Sequence, residues 1–238
     1  NDEFYLLLDG IVLNKKQLLD RNNKTDWAKF LLKTYIEQGN QFIKLLKGSY
    51  YGFLFEKKEN KWIVFTDHIS SKPMYYTKYN NHIVFSNNYT GLVNYLKKNG
   101  YKVTLNVQGA YLLLTYGYVF EDITITNEIK RLLVGYSAIV QNNKLTFDKF
   151  YTLTNNPIEI SEEEAIEEID KRFRNAVQLA FEKDKEYNYK HVATLSGGLD
   201  SRMTVWVAHD LGYADQLNLT FSRSNYLDET VPKQIAAA

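Results

Sequence analysis

The hydrophobic pattern changes abruptly near residue 156, and this change constrains the fold more than any other feature of the sequence. Before it, short runs rich in valine, isoleucine, tyrosine and phenylalanine alternate with turn residues, a pattern typical of strands. After it, a long helical pattern is followed by strand, glycine turn, helix and strand, the usual opening of a parallel α/β domain. Asn155-Asn156-Pro157 is typical of a linker. We therefore predict an α+β domain over residues 1–155 and an α/β domain over residues 161–238.

The first domain is predicted to contain mostly antiparallel strands and a few helices. Asp9-Gly10, Asn80-Asn81 and Asn142-Asn143 supply residues that tolerate positive φ, so we expect turns there. Helical spacing occurs at residues 27–35 and 110–116. Strands are predicted over residues 4–8, 50–55, 62–66, 82–86, 137–141 and 144–147.

The second domain is predicted to open with a strong helix. Ser161 and Glu164 fit a capping box, and the acidic first turn complements the helix dipole. Strands are expected over residues 191–195 and 217–221, with a helix over residues 203–209 between them. The opening helix is expected to bury one apolar face, made of Ile166, Ile169, Phe173, Val177 and Phe181.

A loop with the sequence SGGLDS lies between the predicted strand and helix and carries the candidate chemistry. The amides of Gly197 and Gly198, near a helix N-terminus, suit a phosphate, and the hydroxyls of Ser196 and Ser201 add donors. A carboxylate beside bound phosphate would repel it unless a divalent cation lies between them, so Asp200 predicts Mg²⁺. The alternative is a serine-rich turn in which Asp200 only caps the helix.

Other phosphate and nucleophile motifs do not fit this loop. The sequence contains no G-x-x-x-x-G-K-[ST], no G-x-G-x-x-G and no G-x-S-x-G. The SGGLDS loop instead resembles the pyrophosphate-binding PP-loop of the ATP pyrophosphatase families. With the preceding leucine, as LSGGLDS, it most resembles the asparagine synthetase branch.

Motifs of the first domain resemble the same family. Residues 107–119 are similar to its "ALxxYLxxGYVP" stretch, and residues 132–136 to its "L-P-P-G-H". Residues 45–54 resemble "L-x-G-x-F-A-F", and residues 66–76 resemble "R-D-x-x-G-x-x-P-L-Y". The resemblance implies a class II glutamine amidotransferase domain with the Ntn-hydrolase fold, followed by a PP-loop (adenine nucleotide alpha hydrolase-like) synthetase domain.

The glutamine-site positions of the family correspond here to Asp9, Gly10 and Asp26. Asp9 replaces an asparagine whose side-chain amide donates to the oxyanion, and a carboxylate cannot donate there. The family's nucleophile is an N-terminal cysteine, whereas this sequence contains no cysteine, which argues against glutaminase activity. We expect the first domain to lack its N-terminal segment and residues 161–238 to be the first part of the synthetase domain, so that the chain is truncated at both ends.

The resemblance implies an ATP-dependent carbon–nitrogen ligase. Pyrophosphate would be held by the loop, Mg²⁺ by Asp200, and adenine by the main chain of Thr194 and Arg223. A small carboxylate would be activated as an acyl-adenylate and attacked by ammonia, supplied free or from glutamine; aspartate giving asparagine is the commonest case. The alternatives are an intramolecular amine, as in β-lactam synthetases and lasso-peptide cyclases, or a non-catalytic member. A homodimer is compatible with the resemblance.

Composition excludes several other classes. Lysine and arginine total 29 and aspartate and glutamate 28, a net charge of +1, so no electrostatic case exists for nucleic acid or an acidic membrane. The sequence contains no run of 18 apolar residues, the length that a membrane-spanning helix needs. The absence of cysteine removes disulfides, and we expect a cytoplasmic protein. The four histidines form no metal-binding motif.

Overall fold

The computed structural model describes residues 3–22 and 25–237. The chain forms two compact units, Asn1–Asn155 and Asn156–Ala238. Residues 151–160, around the predicted linker, have no regular secondary structure. Both outer ends of the predicted domains, residues 1 and 238, lie outside the described residues. In the described ranges, no helix has the length and apolar character that crossing a membrane requires.

Eight strands are found in the described residues of the first unit. All six strands predicted from the sequence are present, and two short ones were not predicted. The strands are β1 (Phe4–Val12), β2 (Gly48–Glu56), β3 (Lys61–Thr66), β4 (Tyr75–Tyr79), β5 (His82–Ser86), β6 (Lys130–Arg131), β7 (Tyr136–Gln141) and β8 (Lys144–Lys149).

The helices of this unit mostly begin at side chains that cap them. Asp26, Asn88 and Asn106 each accept a hydrogen bond from a main-chain N–H in the first turn of the helix that follows. Two helices were predicted from the sequence, the second and the fourth. The helices are α1 (Lys15–Arg21), α2 (Trp27–Gln38), α3 (Tyr89–Lys98) and α4 (Val107–Tyr116), with a 3-10 helix at Gly39–Leu45.

The strands form two antiparallel sheets. The larger sheet has the order β1-β2-β3-β7-β8, and the smaller has the order β5-β4-β6. Asn80-Asn81 and Asn142-Asn143 close the β4–β5 and β7–β8 hairpins with positive φ at all four residues. This confirms both predicted asparagine turns and the predicted antiparallel pairing.

The two sheets and two of the helices form four layers. On β3, Ile63 and Phe65 face a core that α2 and the 3-10 helix cover. Val64, between them, faces Met74 and a second core against the smaller sheet. A third core joins α3 to the outer face of the smaller sheet. The first unit is therefore an α+β structure with the layer order helix, sheet, sheet, helix.

The prediction of a turn at Asp9-Gly10 is wrong, because both residues lie inside β1. Asp9 pairs with Tyr51 and Gly10 with Tyr50 across the β1–β2 ladder. Gly10 has φ +120°, and a Cβ there would come within 2.3 Å of the Ser49 carbonyl oxygen. The glycine therefore permits close approach of two strands rather than a reversal of the chain.

The second unit has the predicted alternation of helices and strands. Ser161 and Glu164 form the predicted capping box, with each side chain accepting the other residue's main-chain N–H. The predicted strand over 217–221 is shorter than expected, ending at residue 219. The elements are α5 (Glu162–Glu186), β9 (Val192–Thr194), α6 (Leu199–Asp210), β10 (Leu217–Leu219) and α7 (Leu227–Ala237).

The core of the second unit lies between α5 and α6. Val177 and Phe181 of α5 pack with Val207 and Ala208 of α6 and with Tyr213. The first two positions of the predicted apolar face are not buried, since Ile166 is 60% and Ile169 67% exposed. β9 and β10 pair in parallel, as predicted, with α6 connecting them, so the unit contains a β–α–β element.

Candidate functional site

The SGGLDS loop lies where the sequence pattern placed it, between β9 and the first turn of α6. Gly198 is the N-cap of α6 and has extended backbone angles, and no side chain caps this helix. Because β9 runs parallel to β10, the loop lies at the carboxyl ends of the strands, where open α/β sheets bind ligands. The Asp200 side chain makes no capping hydrogen bond at this helix, and the role of the loop in binding phosphate stays a prediction.

Hydrogen bonds bring the two loop serines together. The Ser196 and Ser201 hydroxyl oxygens are 2.8 Å apart, and the Ser196 N–H donates to Ser201 Oγ at 3.0 Å. The Gly198 N–H donates to Ser196 Oγ at 3.1 Å. Two hydroxyls and two main-chain amides thus converge within one turn of chain, at the positive end of the α6 dipole. Such a group of donors can hold an anion.

Gly197 connects the loop to the start of α7. Its N–H donates to Asp228 Oδ1 at 2.7 Å. A Cβ on Gly197 would lie 3.0 Å from the main-chain carbonyl carbon and oxygen of Leu227, so the two backbones are in close contact. Asp228 lies in the first turn of α7, and its contact with the loop was not predicted from the sequence.

Asp200 lies in the first turn of α6 with an exposed side chain. Its main-chain oxygen accepts a hydrogen bond from Thr204 Oγ1 at 3.0 Å. The described part of the chain contains no cluster of three or more histidine, aspartate or glutamate side chains that could hold a metal. The role of Asp200 in holding Mg²⁺ stays a prediction.

The two predicted adenine contacts lie on different segments. Thr194 is the last residue of β9 and pairs with Leu219 of β10. Arg223 follows β10, and its main-chain oxygen accepts hydrogen bonds from Ser222 Oγ and the Tyr226 N–H. Both residues are exposed. Their role in binding adenine stays a prediction.

In the first unit, Asp9 forms an ion pair. Its Oδ2 is 3.4 Å from Lys72 Nζ, and Lys72 also lies over the Tyr51 ring, 5.9 Å from the centroid. Burial and a hydrogen bond with Asp9 raise the pKa of the Tyr51 hydroxyl. Lys72 and Tyr51 therefore lie beside the Asp9 carboxylate, and neither was predicted as a partner of Asp9.

Asp26 has a structural role at the start of α2. It accepts the Lys29 N–H at 3.0 Å, and this hydrogen bond, with smaller contributions from the Lys29 side chain, lowers the pKa of its carboxyl group. Asp9, beside Gly10, lies on β1 with different partners. The structure thus gives the two predicted glutamine-site carboxylates separate environments, and their role in binding glutamine stays a prediction.

Two curated relatives align with nearly the whole chain. Asparagine synthetase (glutamine-hydrolyzing) 1 of Bacillus subtilis (strain 168) is 20% identical over 248 residues, covering 100% of this chain and 38% of the relative. "Putative asparagine synthetase (glutamine-hydrolyzing) 2" of Methanocaldococcus jannaschii is 27% identical over 224 residues, covering 93% and 42%. The chain therefore spans less than half the length of these two relatives.

A solved structure and a family model also match. The structure is glutamine phosphoribosylpyrophosphate amidotransferase from B. subtilis complexed with ADP and GMP, with 14% identity and TM-score 0.41, covering 65% of this chain and 31% of that one. A likeness of this size carries no argument.

The model of the glutamine amidotransferase domain matches residues 2–151, which is more than half of the chain. The chain therefore belongs to the glutamine amidotransferase domain family.

Proposed function

We propose that this chain is part of an ATP-dependent carbon–nitrogen ligase that forms an amide through an acyl-adenylate, as asparagine synthetases do. Membership of the glutamine amidotransferase domain family supports a nitrogen-transfer function for the first unit. The names of the two curated relatives support the same function. We assign the first unit to the Ntn-hydrolase fold and residues 161–238 to a PP-loop synthetase domain, and we expect a cytoplasmic enzyme.

The observation that carries this proposal is the geometry of the loop between β9 and α6. Two hydroxyls and the amides of Ser196 and Gly198 converge there, at the carboxyl end of a parallel strand. This donor set can bind a pyrophosphate group, because the donors are closely spaced and lie at the N-terminal end of a helix, where the helix dipole is positive. A Cβ on Gly198 would lie 3.3 Å from Ser196 Oγ, so a side chain there would crowd the hydroxyl.

Each loop residue has a defined task in the proposed reaction. The amides of Gly197 and Gly198 and the hydroxyls of Ser196 and Ser201 would bind the pyrophosphate that leaves ATP. The Asp200 carboxylate would hold Mg²⁺, which supplies positive charge beside the leaving group. The main chains of Thr194 and Arg223 would contact adenine. These groups orient the nucleotide so that its α-phosphate faces the substrate carboxylate.

The amine is expected to be ammonia, derived from glutamine or free in solution, as the family implies. A second candidate, attack by an amine of the substrate itself, is favoured by one feature of the first unit. If Asp9 takes the place of the family's asparagine, as the resemblance implies, its carboxylate, held by Lys72, cannot donate to an oxyanion. Formation of a cyclic product in the absence of glutamine would distinguish attack by the substrate's own amine from attack by ammonia.

Exchange of radiolabelled pyrophosphate into ATP tests the proposal. The purified full-length protein that contains this chain should catalyse exchange that depends on Mg²⁺ and on a carboxylate substrate. Asp200→Asn should reduce exchange at least about 100-fold, because it removes the charged metal ligand. Asp215→Asn, at an exposed aspartate in the loop before β10, is the matched control and should leave exchange unchanged. Exchange by Asp200→Asn at the rate of the unmodified protein would contradict the proposal.

A further inference from the structure

All three amides at the start of the SGGLDS loop have an acceptor in this structure. Ser196 and Gly198 donate to hydroxyls of the loop itself, at 3.0 and 3.1 Å. Gly197 instead donates to Asp228 Oδ1, at 2.7 Å, and Asp228 lies on α7. The acceptor at Gly197 therefore differs from the other two, since it carries a negative charge and comes from outside the loop.

The main chain of Asp228 is held close to the loop. Its carbonyl oxygen accepts a hydrogen bond from Thr220 Oγ1 at 2.7 Å. The main chain of the preceding residue, Leu227, packs against Gly197: a Cβ on that glycine would lie 3.0 Å from the Leu227 carbonyl carbon and oxygen. The first turn of α7 thus keeps the carboxylate next to the Gly197 amide.

We propose that Asp228 is an internal competitor for the pyrophosphate site, occupying the Gly197 N–H until a polyphosphate displaces it. This inference rests on the proposed function, because it assumes that the loop binds pyrophosphate. A carboxylate oxygen and a phosphate oxygen compete for the same N–H, and their charges repel at hydrogen-bond distance. The hydroxyls of Ser196 and Ser201 can rotate and donate to a ligand, whereas the carboxylate must leave.

Displacement of Asp228 links ligand binding to α7. When pyrophosphate accepts the hydrogen bond from the Gly197 N–H, the Asp228 carboxylate no longer has that donor. Its negative charge, in the first turn of α7, then repels the ligand. The neighbouring carboxylate, Glu229, has other partners: it accepts the Asn225 N–H and pairs with Lys233. Of the two carboxylates in the first turn of α7, Asp228 is therefore the one to which we assign a repulsion that opposes ligand binding.

Titration calorimetry with inorganic pyrophosphate, first in EDTA and then in excess Mg²⁺, tests this inference. Asp228→Asn keeps an acceptor oxygen without the charge, and Asp228→Ala removes both. In EDTA, both variants should bind pyrophosphate about tenfold more tightly than the unmodified protein, within the usual range for coupled sites. Glu229→Gln removes the adjacent charge and should change the dissociation constant less than about twofold, since that carboxylate does not contact the loop.

The sign of the change distinguishes the possible results. Weaker or unchanged binding by both Asp228 variants, with binding by the unmodified protein, would overturn the inference and leave the proposed function standing. Absence of binding by all four proteins, in EDTA and in Mg²⁺, would overturn the proposed function itself. Tighter binding by Asp228→Asn alone would contradict competition for the Gly197 N–H, because that variant keeps the acceptor oxygen and only Asp228→Ala removes it.

Discussion

The ring of Phe65 lies over the Cα atom of Gly52, its partner on the neighbouring strand. A Cβ on Gly52 would come within 2.2 Å of Phe65 Cζ. The ring is fully buried and packs edge-on against Phe42, with 5.3 Å between ring centroids. Phe65 therefore has no room to move aside, and the glycine is required by packing rather than by backbone conformation.

Gly52→Ala should destabilise the first unit by about 1–3 kcal/mol, the usual cost of forcing an extra carbon into a packed core. Native-state hydrogen exchange of the β3 amides in urea measures this free energy of unfolding. The double variant with Phe65→Leu should cost less than the sum of the two single variants, because the smaller side chain removes the clash. Strictly additive costs would show that the ring is not the cause.

Ser70→Gly should stabilise the first unit by about 1 kcal/mol. Ser70 has φ +53° and is buried, and its hydroxyl has no hydrogen-bond partner among the described residues. Glycine relieves the strain of the left-handed backbone conformation and removes the unpaired hydroxyl. We expect these two gains to outweigh the larger loss of conformational entropy when a glycine folds. The same exchange measurement applies.

Ser71→Gly is the control for that prediction, and it should destabilise the protein. The Ser71 hydroxyl donates to Asp67 Oδ2 at 2.6 Å and lies 2.8 Å from Ser49 Oγ. Removing it leaves the buried Asp67 carboxylate with one donor fewer. If both glycine variants changed stability in the same direction, strain at Ser70 would not be the explanation.

Glu56 should make the stability of the first unit depend on pH in acid. Burial raises the pKa of its carboxyl group, but hydrogen bonds from Lys61 and Tyr35 and the charge of Lys61 outweigh burial, so the folded pKa lies below the ordinary 4.5. The Glu56 carboxylate therefore stabilises the folded state above pH 4.5, and this stabilisation is lost as the pH falls through the pKa of the folded state. Glu56→Gln should cost about 1 kcal/mol at pH 7.

The difference between Glu56→Gln and the unmodified protein should disappear in strong acid, where the carboxyl group is protonated in both the folded and unfolded states. Urea unfolding across the acid range measures this convergence. Glu37→Gln is the matched control, because Glu37 forms an exposed pair with Lys33 at 3.5 Å and should contribute almost nothing. A constant difference at every pH would show that Glu56 acts through packing alone.

Local sequence signals predicted most of the elements, and tertiary contacts account for the errors. The asparagine pairs at the two hairpins need only local backbone preferences, so they were predicted correctly. At Gly10 the same preferences favoured a turn, but pairing with β2 and the closeness of Ser49 decided the conformation. β4 was not predicted from its own residues, and its pairing with β5 and β6 defines it in the structure.

The candidate site shows the same limit. The position of the SGGLDS loop follows from a strand, two glycines and a helix that are adjacent in sequence. Its contact with Asp228 joins residues 31 positions apart and depends on how α7 packs beside the loop. Likewise, the ion pair of Asp9 with Lys72 joins residues 63 positions apart, so no local pattern could indicate it.

The strand order of the larger sheet also has a consequence for the order in which its strands can pair during folding. β1, β2 and β3 can pair as soon as they leave the ribosome, but β3 finds its other neighbour only when β7 has been made, since Lys61 pairs with Gln141. Until then β3 presents an open edge to other chains. Pairing at such long sequence separation is slow, so we expect the smaller sheet and α3, which lie in the intervening chain, to form before it. Slow refolding and misassembly should therefore arise at the β3–β7 junction.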